Sequence, residues 1–228
     1  MGTILASELI DRAATLLFDT NNVQWSRLEL LGYLNAGQRA IAIVSPTSTS
    51  LIAAVQLTAG ARQRIPADGW MLLDVIRNMG TTGTVAGNAV RVISRRLLAA
   101  FQPAWLAATP SAVVSNYIFD LQDQTSFFVY PPSNGTNYLE INYSQAPSDL
   151  ATETLAIGVS NALDDVLVNY MMFLACSKVV PYAPGPQIAA AYLGAFNQAL
   201  GAKATAEQMN DPNFGLEKFS PSRPGGES

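Results

Sequence analysis

At 228 residues the chain is long enough to bury a sizeable core, yet 49% of it is hydrophobic and only 13% charged, where about a quarter charged is usual. A monomer of that composition exposes a large apolar surface, which points to a subunit that hides part of it in an oligomer. The absence of any histidine removes Ser-His-Asp and Cys-His catalysis, His-ligated metals and the usual general base near neutral pH.

The net charge of −4 is spread unevenly: residues 1–47 hold three basic and four acidic side chains, residues 48–113 six and two, and residues 114–228 four and eleven. The most apolar stretch, 166–180, carries Asn169, Ser177 and Lys178, so it does not read as a membrane span and no membrane contact is expected. No basic segment precedes an apolar core at the start, and Ala6 stands where myristoylation requires Ser or Thr, so the chain is expected to stay where it is made. The single cysteine, Cys176, reads as a buried small hydrophobe in a reducing compartment.

In chain order, Thr3 is the expected cap of a first helix whose Leu5, Leu9, Ile10, Ala13, Leu16 and Leu17 share one face, broken at residues 19–22. The next helix has a complete start. Ser26 and Glu29 form a capping box, and Trp25 with Leu30 supplies a hydrophobic staple. Its apolar period through Leu30, Leu31, Leu34, Ile41 and Val44 is interrupted by Asn35, Gly37, Gln38 and Arg39, so something polar or close-packed is expected against that patch. Pro46 ends it, making residues 1–46 a helical hairpin.

From residue 47 the period changes. Segments 51–57, 72–78, 85–93, 117–120, 127–130 and 138–144 are short, β-branched or aromatic, and separated by Gly, Pro, Asn or Asp, which predicts an inserted β-rich domain over 47–158. Pro131-Pro132 is expected to end one strand and Asn134-Gly135 to turn the chain, giving a hairpin over 127–143. Residues 94–108 read as a short helix or a loop. Helical period returns over 159–210 as a second pair, with Asn161 as the expected cap and residues 181–186 as the corner between them. Residues 211–228 have no period and read as an extended C-terminal tail with isolated Phe214 and Phe219. The fold class is thus α+β: a four-helix-bundle-like α domain with a β-rich domain inserted between its second and third helices.

Few residues invite chemistry. The glycines at 80, 83 and 87 lack the Lys-Ser/Thr pair of a phosphate loop and read as a turn. Adjacent Asp164 and Asp165 point about 100° apart on a helix and suit its dipole better than a metal. Asp120, Asp123, Glu140 and Glu153 show no spacing that pairs them for hydrolysis. No cofactor or metal is expected. The basic group Arg62, Arg64, Arg77, Arg91, Arg95 and Arg96 reads either as solvated strand faces or as a surface for a partner, and supports an alternative function as a nucleic-acid-binding module.

Taken together, several segments resemble the head-to-tail adaptor proteins of short-tailed bacteriophages, the tail tubular protein A-like connectors. The resemblance is carried by Trp25-Ser26, Glu29-Leu30-Leu31, Tyr33-Leu34-Asn35-Ala36-Gly37-Gln38-Arg39, Gln63-Arg64-Ile65-Pro66-Ala67-Asp68 and Leu73-Asp74-Val75-Ile76-Arg77-Asn78. It continues through Pro103-Ala104-Trp105, Tyr117-Ile118-Phe119-Asp120, Phe128-Val129-Tyr130-Pro131-Pro132 and Ile141-Asn142-Tyr143-Ser144 to Pro147, covering about residues 4–200. It implies a non-enzymatic virion protein, assembled in the host bacterial cytoplasm into a ring, commonly of twelve copies. That ring docks beneath the portal protein and receives the tail nozzle, and the double-stranded genome passes through it without sequence-specific contact. Under this reading Asn35, Gln38 and Arg39 are expected at the subunit seam, Phe214 and Phe219 against the portal, and the arginines toward another protein.

Overall fold

The computed structural model describes residues 2–120, 122–178 and 185–210. Five α-helices and two sheets follow along these residues: α1 (Ala6–Leu16), α2 (Arg27–Val44), β1 (Ser50–Gln56), β2 (Gly60–Arg64), β3 (Gly69–Asn78), β4 (Arg91–Val92), α3 (Arg95–Phe101), β5 (Asn116–Phe119), β6 (Ser126–Ser133), β7 (Tyr138–Gln145), α4 (Asp164–Ser177) and α5 (Pro186–Asn210). The protein is α+β. Its chain groups into two units, one of Met1–Ser7 with Asn35–Ala162 and the other of Glu8–Leu34 with Leu163–Ser228.

In the first unit β1, β7 and β3 form one antiparallel sheet, in that order, and β2, β6, β5 and β4 form the second. Alternation explains how they meet. On β7, Leu139, Ile141 and Tyr143 point inward and join Leu72 and Val75 of β3 with Tyr117, Phe127 and Val129 of the second sheet in one buried cluster. The intervening residues of the second sheet are not left to water. Ile118, Phe128 and Tyr130 cover a smaller cluster with Leu98 of α3 and Trp105, whose ring meets Phe128 edge-on at 5.7 Å. That is why residues 127–130 read Phe-Phe-Val-Tyr: both faces of β6 are covered.

Several local expectations are corrected by the fold. The hairpin over 127–143 does not form, because β6 and β7 belong to different sheets and the turn between them is a sheet-to-sheet corner. Ser133 Oγ donates to Asn137 Oδ1 at 2.6 Å and accepts the Gly135 N–H at 2.9 Å, while Gly135 takes the left-handed φ of 86° the corner needs. Pro131 and Pro132 do not end β6. They lie where its register with β2 shifts and beyond its last pair with β5, so no ladder N–H is missing. Thr3 does not cap α1; its N–H donates to Asn161 Oδ1 at 2.8 Å, and the first N–H groups of α1 go to the carbonyls of Leu155 and Glu153. Asn161 is therefore spent on the N-terminal segment, and α4 begins at Asp164 without a side-chain cap. Strand β2 has Ala61 as its only apolar side chain and so carries no strand signal, and the region 85–93 shrinks to the two-residue β4. Residues 94–108 resolve into α3, capped by Ser94 on the Leu97 N–H, and a short 3-10 turn at Trp105–Ala107.

The second unit is helical. The capping box at its centre closes as expected: Ser26 Oγ accepts the Glu29 N–H at 3.2 Å. Burial raises the Glu29 pKa, but the Lys178 ammonium at 2.8 Å, the Tyr33 hydroxyl at 2.7 Å and the Ser26 N–H together carry it below the usual carboxylate value. Trp25 is buried and donates its indole N–H to the Ala175 carbonyl at 3.2 Å. Asp164 and Asp165 both pair with Arg12 of α1, so the first turn of α4 is tied to another helix. Tyr170 of α4 packs on Phe196 of α5 at 4.9 Å.

Candidate assembly surface

Asn35 and Gln38 sit on the second half of α2 with their side chains turned into the first unit. Asn35 grips Leu150 at both ends, its Nδ2 donating to the carbonyl at 3.1 Å and its Oδ1 accepting the N–H at 2.9 Å. Gln38 is fully buried, and its Oε1 accepts the Gly158 N–H at 2.6 Å. A Cβ at Gly158 would stand 3.2 Å from that same oxygen, a tight contact that a side chain there would press on. The polar patch on this helix is thus occupied by the backbone of residues 150–158, and these two side chains are internal ties. Arg39 differs: it is exposed and pairs with exposed Asp149.

The six arginines are not brought together. Arg62 and Arg64 lie on β2, at one edge of the second sheet, and Arg91 on β4 at the other; Arg95 and Arg96 begin α3, and Arg77 belongs to the first sheet. Arg62 donates to Asp123 at 2.9 Å, Arg77 to Glu140 at 2.6 Å, and Arg95 stands 3.7 Å from Asp120. Arg64, Arg91 and Arg96 have no acidic partner among the described residues. The same pairs engage three of the carboxylates considered for hydrolysis. Asp123 is held at about 2 by the Ser126 and Thr125 hydroxyls and by Arg62, which suits an anchored turn and not a general acid. Among the described residues no three His, Cys, Asp or Glu side chains are placed to hold a metal, and no helix is long and apolar enough to cross a membrane.

Phe214 and Phe219 lie outside the described residues. Sequence reasoning passed over a different apolar feature, the corner between α1 and α2. Phe18 there is 97% exposed and Val23 83%, beside a groove of about 470 Å3 lined by Leu16, Trp25, Met172, Cys176, Ile188 and Tyr192. Its only trace in the sequence is Phe18 and Val23 flanking the breaker Asp19-Thr20-Asn21-Asn22, two large apolar residues in a turn.

Helix α5 is the other surface without an internal explanation. Along its 25 residues only Ala189, Phe196 and Leu200 are buried among those described, and Lys203 and Glu207 are its only charges. Gly194 and Gly201 face open space. A helix that is neither buried nor charged is unusual as a solvated element.

No curated protein matches the chain. The family model described as SU10 adaptor protein matches residues 4–215, almost the whole length. The chain belongs to the SU10 adaptor protein family, a family of phage adaptor proteins.

Proposed function

We propose that this phage adaptor is one subunit of a ring at the head-to-tail junction of a short-tailed phage, related to the tail tubular protein A-like connectors. The ring docks beneath the portal, receives the tail nozzle below and leaves a central channel for the genome. Twelve copies is the count this reading adopts, with the four longer helices forming the bundle-like α domain and residues 47–158 the inserted one. The observation that carries it is α5, whose small-residue surface, free of charge before Lys203, invites a neighbouring helix to close distance. Family membership supports the class of partner: other proteins of the virion. The channel wall is acidic in this reading, because a basic lining makes many phosphate contacts and holds the DNA. No catalytic step is assigned.

Electron microscopy of the purified protein mixed with its portal tests the reading, with rings seen end-on as the expected result. A monodisperse monomer in sedimentation under the same conditions overturns it. The nucleic-acid module loses ground here, since half of its arginines already hold carboxylates.

A further inference from the structure

We propose that residues 211–228 of one copy occupy the groove at the α1–α2 corner of the next copy, so that each subunit carries both halves of a head-to-tail contact. The inference rests on the ring reading and names the element that links its neighbours.

The corner is built to stay in place. Phe18 takes a left-handed φ of 55° and Asn22 one of 53°, conformations that a loop free to relax would abandon. The Asp19 carboxylate holds them by accepting the N–H groups of Val23 and Gln24 at 2.8 Å and of Trp25 at 2.9 Å. The result is a fixed apolar rim, Phe18 and Val23, beside the groove floored by Met172 and Cys176. A volume of about 470 Å3 lies in the range that accepts a compact apolar anchor.

The occupant follows from chain length. Beyond Asn210, the end of α5, come Phe214, Leu216 and Phe219 between Pro212 and Pro221, apolar anchors in a polar, proline-bounded stretch. Ile188 and Tyr192, in the first turns of α5, line the groove. At a rise of ~1.5 Å per residue, Tyr192 lies roughly 27 Å and Ile188 roughly 33 Å from Asn210 along the helix. Four residues of fully extended chain reach at most ~14 Å, so Phe214 cannot return to its own groove; nine residues reach ~32 Å, so Phe219 meets only the near edge of that groove at full extension and the two anchors cannot seat there together. The anchors therefore serve a second copy. A contact in which one patch meets a different patch on the neighbour repeats around the assembly and closes into a ring when the rotation allows, as the ring requires.

The test uses the full-length chain carrying Val23→Cys and Asn213→Cys with Cys176→Ser, under mild oxidation. A ladder of covalent multimers, absent from either single-cysteine variant and lost on reduction, is the expected result. An internally bridged monomer, or no bridge at all, overturns the proposal. In parallel, Phe214→Ser with Phe219→Ser is expected to lower ring yield at least tenfold with an unchanged melting temperature. Intact rings that lose only portal binding overturn it in favour of a tail that meets the portal. Failure of the wild-type chain to form rings removes the ring reading, while the oxidation ladder still decides whether tail and groove meet.

Discussion

Gln38 illustrates how a polar residue on an apolar helix acquires its purpose from distant backbone. Its amide satisfies the Gly158 N–H and stands 3.4 Å from Asn35 Oδ1, with both side chains buried. Gln38→Leu leaves that N–H orphaned, and we expect a loss of about 1–3 kcal/mol in urea unfolding. Arg39→Ala, by contrast, breaks an exposed ion pair and should cost under about 1 kcal/mol, so any larger effect of this variant on assembly than on unfolding marks Arg39 as a contact residue. Asp123 makes a pH prediction. Its folded pKa of about 2 lies below the ordinary 3.8, so its contribution is complete above 3.8 and fades as the pH falls toward about 2. Asp123→Asn should flatten the melting temperature against pH within that window and leave the slope at higher pH unchanged; an identical slope in wild type and variant within the window refutes the assignment.

Among the elements, β6 and α5 are opposites. Strand β6 is apolar at every central position because a sheet covers one face and α3 with Trp105 the other. Helix α5 is uncharged along most of its length; it packs on α4, with Ala189, Phe196 and Leu200 buried, while Gly194 and Gly201 face open space. If a neighbouring subunit supplies the missing cover, Gly194→Glu should leave the fold intact, since a Cβ there meets nothing within 4 Å and glycine is the weaker helix former by about 1 kcal/mol. The same variant should reduce ring formation at least tenfold by sedimentation, because it places a charge in the seam. Rings that form normally with this variant remove α5 from the interface.

Taken whole, the molecule combines a low charge content with a charge gradient that the fold partly cancels. The basic segment 48–113 meets carboxylates from 114–228 inside the first unit, at Arg62–Asp123, Arg77–Glu140 and Arg95–Asp120. The remaining arginines stand at opposite sheet edges and on α3, too few and too separated for a phosphate-tracking groove. We therefore expect no retardation of duplex DNA at about 150 mM salt, where surface charges are screened beyond ~8 Å. Retardation that persists at that salt would restore the nucleic-acid reading.

Much of this protein was legible in its residues because the information was local. The capping box of α2 needs only Ser26 and Glu29 within one turn, and it closes as read. Pro46 stops the helix, the alternation of β7 predicts which side is buried, and the missing histidines narrow the chemistry without any coordinates. What stayed hidden depends on partners far along the chain. The hydrogen bonds of Asn35 and Gln38 reach residues 115 and 120 positions away, so these two side chains of the polar patch are engaged from within the chain while Arg39 stays exposed. The placement of β6 and β7 in different sheets could not be read either: a tight turn is compatible with a hairpin or a corner, and the choice falls to the packing of Phe127, Val129, Leu139 and Ile141 against one another across the core. Local hydrogen bonding and period specify elements, whereas burial chooses their neighbours, and burial exists only once the chain has folded.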